Sequence, residues 1–162
     1  MGKEKFYVLF TLMGTTYAIS SEKIEQMEMV GPITPVPSAP LPVKGIVFLR
    51  GRVVPVVDLR LRFGFPPVNY DLKTRLIVIK HKQGPVGLIV DGSREFVAIP
   101  DEAIQPTPEG ITDLSGKYLT GLARIGERPV LIMNTDELLN MEEIKKLAPL
   151  GDKLREEERD EG

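Results

Sequence analysis

Residues 31–42, GPITPVPSAPLP, carry five prolines in twelve positions. Each proline fixes its own φ and removes a backbone donor, so this segment is neither a helix nor a central strand. It reads as a stiff, extended strap on the surface. The rest of the chain is written in short apolar runs broken by turn residues. Fourteen prolines and fifteen glycines interrupt 162 residues, and no run is long enough for a large helix. With 42% apolar residues the chain has enough to bury a core, and with tryptophan absent and aromatics at 6% that core is mostly aliphatic. The length suits one domain, or two very small ones packed together.

The runs read as about ten strands. FYVLFTL (6–12) is apolar on both alternating faces, as in a strand buried on both sides, and MGTT turns it into YAI (17–19). SSEKIEQMEM (20–29) reads as a short helix capped by Ser20 or Ser21, with Glu22 in its first turn and Ile24 and Met27 facing inward. GIVFL and RVVPVVDL flank Arg50-Gly51 as a hairpin, with Pro55 marking an edge or a bulge. LRLRFG suits one helical turn. RLIVIK and VGLIVD form a second hairpin around HKQGP, EFVAI adds a strand, and residues 102–116 read as loop. KYLTGLARI and RPVLIM flank Gly126-Glu127, a type II′ pair. No strand–long helix–strand unit is present, which excludes a parallel α/β sheet. Asn134 with Glu137 and Asn140 with Glu143 have capping-box spacing, so a C-terminal helix is expected with Leu138, Leu139, Ile144 and Leu147 as its apolar stripe, ending at Pro149 and Gly151. No internal repeat is visible at this level.

Little in the chain carries reaction chemistry. Cysteine is absent, which removes disulfides, thiolate metal sites and cysteine nucleophiles. The one histidine, His81, sits between Lys80 and Lys82 at a hairpin tip and reads as a solvated loop residue. No nucleophile elbow, phosphate loop or dinucleotide fingerprint occurs, and no close-set carboxylates suggest a metal. Asp58 and Arg60 read as a strand-end carboxylate accepting hydrogen bonds and the arginine beside it, rather than as a catalytic pair. Met27 and Met29 read as core or groove lining. Residues 151–162 bear six acidic and three basic side chains within a net charge of −2, so the body is close to +1 and offers no general attraction for nucleic acid. Arg50, Arg52, Arg60 and Arg62 lack interleaved aromatics and suit a protein interface better than a nucleic-acid face. No signal peptide or apolar run of the roughly 18 residues needed to cross a membrane is seen. A cytoplasmic location is expected.

Residues 33–64, ITPVPSAPLPVKGIVFLRGRVVPVVDLRLRFG, resemble the CheW-like domain family of bacterial chemotaxis coupling proteins. The family pattern is a proline-rich lead, a glycine, N-L-R-G, a strand ending P-V-x-D-L-R, and then F-G. It is matched by Pro35, Pro37, Pro40, Gly45, Leu49, Arg50, Gly51, Pro55, Asp58, Leu59, Arg60, Phe63 and Gly64. The likeness continues in FTLMGTTYAI, VGLIVDG, YLTGLARI and Leu138-Leu139, and spans about residues 5–148.

The resemblance implies a mainly β fold, with two small five-stranded β-barrels packed on a shared apolar core, short helices and a C-terminal helix. It implies a domain over 5–148, and the charged stretch over 149–162, which lacks apolar anchors, is expected to be a disordered tail. The expected function is a non-enzymatic adaptor, without cofactor or metal, that couples the cytoplasmic tips of chemoreceptors to the regulatory domain of the histidine kinase CheA. Membrane insertion and nucleic-acid binding are not expected. By the same resemblance Arg50 is a receptor-contact residue, Gly45 and Gly87 hold the backbone close around that surface, and Ile24 is the apolar position of the short helix after the second strand. The chain departs from the family at Phe48, where asparagine is usual, and at Gln26, where glutamate is frequent. A lost amide and a lost charge at a polar contact alter partner choice through unpaired-group penalties. The alternative reading is therefore a CheW-like module of a divergent, non-motility pathway with a different receptor or kinase.

Overall fold

The computed structural model describes residues 4–40, 42–82, 84–107 and 118–138. Ten strands are formed: β1 (Glu4–Leu12), β2 (Thr15–Ser20), β3 (Ile24–Met29), β4 (Val43–Leu49), β5 (Arg52–Asp58), β6 (Arg75–Ile79), β7 (Val86–Val90), β8 (Gly92–Pro100), β9 (Leu119–Ile125) and β10 (Arg128–Met133). One helical turn, α1 (Leu59–Arg62), follows β5, and 3-10 turns cover Ser21–Lys23, Asp101–Ala103 and Thr135–Glu137. The strands form two five-stranded sheets in the orders β8-β1-β2-β10-β9 and β3-β6-β7-β5-β4. These are called sheet A and sheet B below.

The two sheets share one plan. Each has a central antiparallel hairpin (β1–β2 or β6–β7), an antiparallel edge strand on one side, and a second hairpin joined on the other side by a parallel ladder. Even the bulges coincide. Glu25 and Arg94 are the unpaired residues of β3 and β8, and Lys44 and Thr120 those of β4 and β9. In chain order, β1–β5 and β6–β10 are two copies of one unit that have exchanged halves. The first hairpin of each copy pairs with the last three strands of the other.

Burial follows from this exchange. The inner faces of the sheets hold separate apolar clusters, Tyr7, Leu9, Ala18, Ile99, Val130 and Ile132 in sheet A and Val47, Val54, Val56, Leu76, Val78 and Ile89 in sheet B. A third cluster lies between the sheets and draws on both: Phe10, Leu12, Tyr17 and Ile19 meet Val57, Leu59, Ile77, Ile79, Leu88 and Val90. The shared apolar core is therefore present. Strand β1 is buried on both faces only around Leu9 and Phe10, because Thr11 is exposed and Phe6 near the start is 49% exposed and stacks on Phe96, 62% exposed, at 5.2 Å.

Neither sheet closes into a barrel among the described residues. Closure needs a ladder between β3 and β4, or between β8 and β9, and the outer edges of β4 and β9 are already occupied. Thr34 in the proline-rich strap exchanges two 2.9 Å hydrogen bonds with Ile46 of β4, and Gln105 does the same with Leu122 of β9 at 2.7 and 2.8 Å. Side chains span the remaining gap: Arg52 at the start of β5 reaches Glu25 on β3 (2.7 Å), and Arg128 at the start of β10 takes Glu95 on β8 in a two-pronged contact (2.9 and 2.8 Å).

Residues 20–29 correct the sequence reading. They form a 3-10 turn and then β3, not a helix, and Met27 and Met29 are 42% and 55% exposed. Pro55 stands on neither an edge strand nor a bulge, since β5 lies between β4 and β7. Ile46 directs its backbone to Thr34, so the facing Pro55 needs no donor toward β4, and pairing with β7 begins only at Val56. The missing N–H therefore leaves no ladder bond unmade. The expected C-terminal helix beyond Leu138 and the tail lie outside the described residues.

Candidate interaction surface

The hairpin β4–β5 turns at Arg50 (φ 51°) and Gly51 (φ 75°), and two positive φ angles in succession define a type I′ turn. Its twist matches that of the strands, which is why a two-residue loop suffices. Arg50 stands exposed at the tip. It does not pair with Asp58, whose oxygens accept the Arg60 N–H (2.9 Å) and the Tyr70 hydroxyl (2.7 Å). Phe48, two residues before Arg50, is 45% exposed.

The Arg52–Glu25 contact draws the start of β3 against the neck of this hairpin. It brings two other expected residues to the same end of sheet B. Ile24 is half-buried and packs on the edge of the inter-sheet core. Gln26 is half-buried and donates to Glu28 at 2.9 Å. Arg50, Phe48, Ile24 and Gln26 thus form one rim. It combines two apolar side chains, one cation and one neutral amide.

Gly45 and Gly87 do not belong to that rim. Both are buried. A Cβ on Gly45 would run into the carbonyl of Thr34, so this glycine is what lets the strap lie on β4. A Cβ on Gly87 would come to 2.7 Å from a methyl of Leu76 in the core of sheet B. Each glycine has a packing role inside sheet B.

Sequence reasoning missed two features of this end. Met27 and Met29 extend the exposed apolar strip along β3, and their spacing of two, with the charged Glu28 between, is a strand signal that was available. The Arg52–Glu25 contact had no sequence signal, because it depends on the curl of the whole sheet.

Other parts of the molecule offer less. A cleft of ≈ 310 Å³ beside Asp91 is lined by Thr11, Thr16, Lys73, Glu95 and Arg128, but Glu95 and Arg128 neutralise each other. Their contact lowers the Glu95 carboxyl below the usual range. His81 lies in the β6–β7 turn, half-buried, and its pKa is lowered by burial, partly offset by Asp136. Among the described residues no group of three or more His, Asp or Glu could hold a metal ion. No helix among them is long and apolar enough to cross a membrane.

Residues 7–143 match the CheW-like domain. The chain is 36% identical over 138 residues to a chemotaxis protein CheW of Klebsiella aerogenes, covering 85% of this chain and 83% of that one. It is 33% identical over 135 residues to a chemotaxis protein CheW of Helicobacter pylori, covering 82% and 80%. Among solved structures, the scaffolding protein TtCheW from Thermoanaerobacter tengcongensis superimposes with a TM-score of 0.80 at 27% identity, over 86% of this chain and 94% of that one.

Proposed function

The chain belongs to the CheW-like domain family, and from that premise we propose that it is a non-enzymatic signalling scaffold which couples chemoreceptors to the histidine kinase CheA. The domain spans residues 5–148, and the protein works in the cytoplasm at the receptor tips. Arg50 is the proposed contact residue. One observation carries this: Arg50 is exposed while holding a left-handed backbone that an arginine adopts at a cost of about 1 kcal/mol or more. The equivalent turn in sheet A places Gly126 at that position, with φ 63°. Met13 has a similar backbone, but there Asp91 accepts the Met13 N–H at 2.9 Å and holds the turn. Retaining an arginine where glycine fits better suits a side chain kept for recognition, and its five donors suit polar groups on a partner helix.

Ile24, Phe48 and Gln26 complete the proposed surface. The decisive experiment is a calorimetric titration of the purified protein against the CheA regulatory domain and, separately, against a receptor-tip fragment. Saturable binding to both is expected. Binding to neither overturns the reading.

The exposure of Phe48 favours the second reading, a module of a divergent pathway. At 45% exposure it is not an ordinary packing residue, and it replaces a polar amide at the rim. Restoring asparagine there tests this: Phe48→Asn is expected to strengthen binding to a swimming-chemotaxis receptor tip and weaken binding to the native partner. No change in either affinity removes the case for divergence.

A further inference from the structure

Three segments from both sheets converge on one carboxylate. Asp91 is the single residue by which the chain crosses from β7 in sheet B to β8 in sheet A. Its Oδ1 accepts the Arg60 Nε–H at 2.7 Å and its Oδ2 accepts an Arg60 Nη2–H at 2.6 Å, a two-pronged contact. Oδ2 also accepts the N–H of Met13 in the β1–β2 turn of sheet A at 2.9 Å. The Asp91 N–H donates to Thr11 of β1, also at 2.9 Å. Arg60 lies on α1, directly after β5 of sheet B, and its Nη1 reaches the Pro66 carbonyl and the Met13 sulfur, each at 3.2 Å. The main chain of Arg60 is held in turn by Asp58, 2% exposed, which accepts the Arg60 backbone N–H and the Tyr70 hydroxyl. The side chains of Arg60 and Asp91 are only 14% and 24% exposed.

We propose that the Arg60–Asp91 pair is the joint that sets the angle between the two sheets. The apolar core between them drives association but is non-directional, so it tolerates small rotations of one sheet on the other. A planar guanidinium fork on a carboxylate has fixed geometry and does not tolerate them. The fork is not repeated by the second half. At the place in the second half that Arg60 holds in the first stands Asp136, an acid in a 3-10 turn, so the exchanged halves carry no matching fork on the opposite flank. The two-pronged contact on this flank makes Asp91 the pivot about which relative motion of the sheets turns.

The test uses the full chain. It has no cysteine, so introduced pairs can be spin-labelled without background. One pair, Glu28→Cys with Arg124→Cys, reports across the sheets. A second, Thr15→Cys with Arg124→Cys, reports within sheet A. All three positions are exposed. Pulsed electron resonance on the parent protein is expected to give one narrow distance peak for each pair. Asp91→Asn and Arg60→Ala are each expected to widen the cross-sheet peak at least twofold and leave the within-sheet peak unchanged. The exchanged pair Arg60→Asp with Asp91→Arg is expected to narrow it again. Arg60→Lys keeps the charge and loses the fork, and it carries the test if Arg60→Ala does not fold. A cross-sheet peak that stays narrow in these variants overturns the proposal, because the apolar core alone then sets the angle. Equal widening of both peaks also overturns it, because the pair then serves general stability only.

Discussion

At the scale of single residues, the chain separates side chains that hold the fold from those available to a partner. Arg50 is proposed for the second group. Arg50→Asp is expected to change stability by about 1 kcal/mol or less, as at other exposed sites, and aspartate tolerates the left-handed turn. Partner binding is expected to weaken by roughly 2 kcal/mol or more, as for an interface hot spot. A thermal melt and a calorimetric titration read the two quantities separately, and a large drop in melting temperature would make Arg50 structural. Tyr70 belongs to the first group. Burial raises its pKa, and the hydrogen bond to Asp58 adds to that, so the phenol stays protonated and donating throughout the range in which the protein is folded. Tyr70→Phe removes one of the donors that satisfy a buried carboxylate and is expected to cost about 1.5–3 kcal/mol by denaturant melt. The sequence reading of Asp58 as a hydrogen-bonding strand-end carboxylate holds. The identity of its donor was not legible, because Tyr70 is brought there by a loop with no regular pattern.

At the scale of elements, the hairpins were legible because their turn chemistry is local. Arg50-Gly51 and Gly126-Glu127 were expected as two-residue turns, and both are: Gly126 has φ 63° and Glu127 has no positive φ, as a type II′ pair requires. Residues 20–29 failed for the opposite reason. Ser20, Ser21 and Glu22 begin a helix in good order, but only one 3-10 turn forms, because the segment is needed as the edge strand beside β6 and tertiary pairing outweighs a weak local preference. The proline strap was read correctly as extended. What could not be read was that it docks on β4 by a single bridge at Thr34, with Gly45 as the seat. Gly45→Ala is expected to destabilise the protein by about 1–3 kcal/mol, as in overpacked sites. In hydrogen exchange, faster exchange of the Thr34 and Ile46 amides is expected to accompany it. Unchanged exchange at those two amides would separate the glycine from the strap.

At the scale of the molecule, the expected shared core is present, and in place of two small barrels the described residues form two open sheets built from exchanged strands. The duplication was invisible in the sequence because the copies share positions rather than residues. Gly45 and Arg52 are spaced as Gly121 and Arg128 are, and ITPVP has a counterpart in IQPTP, but Phe48 answers to Arg124 and Arg60 to Asp136. Sheet A is assembled from strands at both ends of the described chain, and the inter-sheet core takes residues from both sheets, so neither sheet has a complete set of partners without the other. Thermal unfolding is therefore expected to show one transition, with far-ultraviolet circular dichroism and tyrosine fluorescence superimposing and the starting spectrum dominated by β structure. Two resolved transitions would mean that the sheets fold independently.

The exchange of halves also has a consequence for synthesis. The β1–β2 hairpin emerges from the ribosome first, yet the strands that flank it, β8 and β10, are the eighth and last of the ten. At translation speeds of about 5–20 residues per second, the hairpin waits on the order of ten seconds with both edges open. Sheet B, whose five strands are consecutive, has all its members long before. The order of birth thus reverses the order of assembly: the oldest strands are among the last to find their places, and the nascent chain carries an open template for wrong pairing until translation has passed β10.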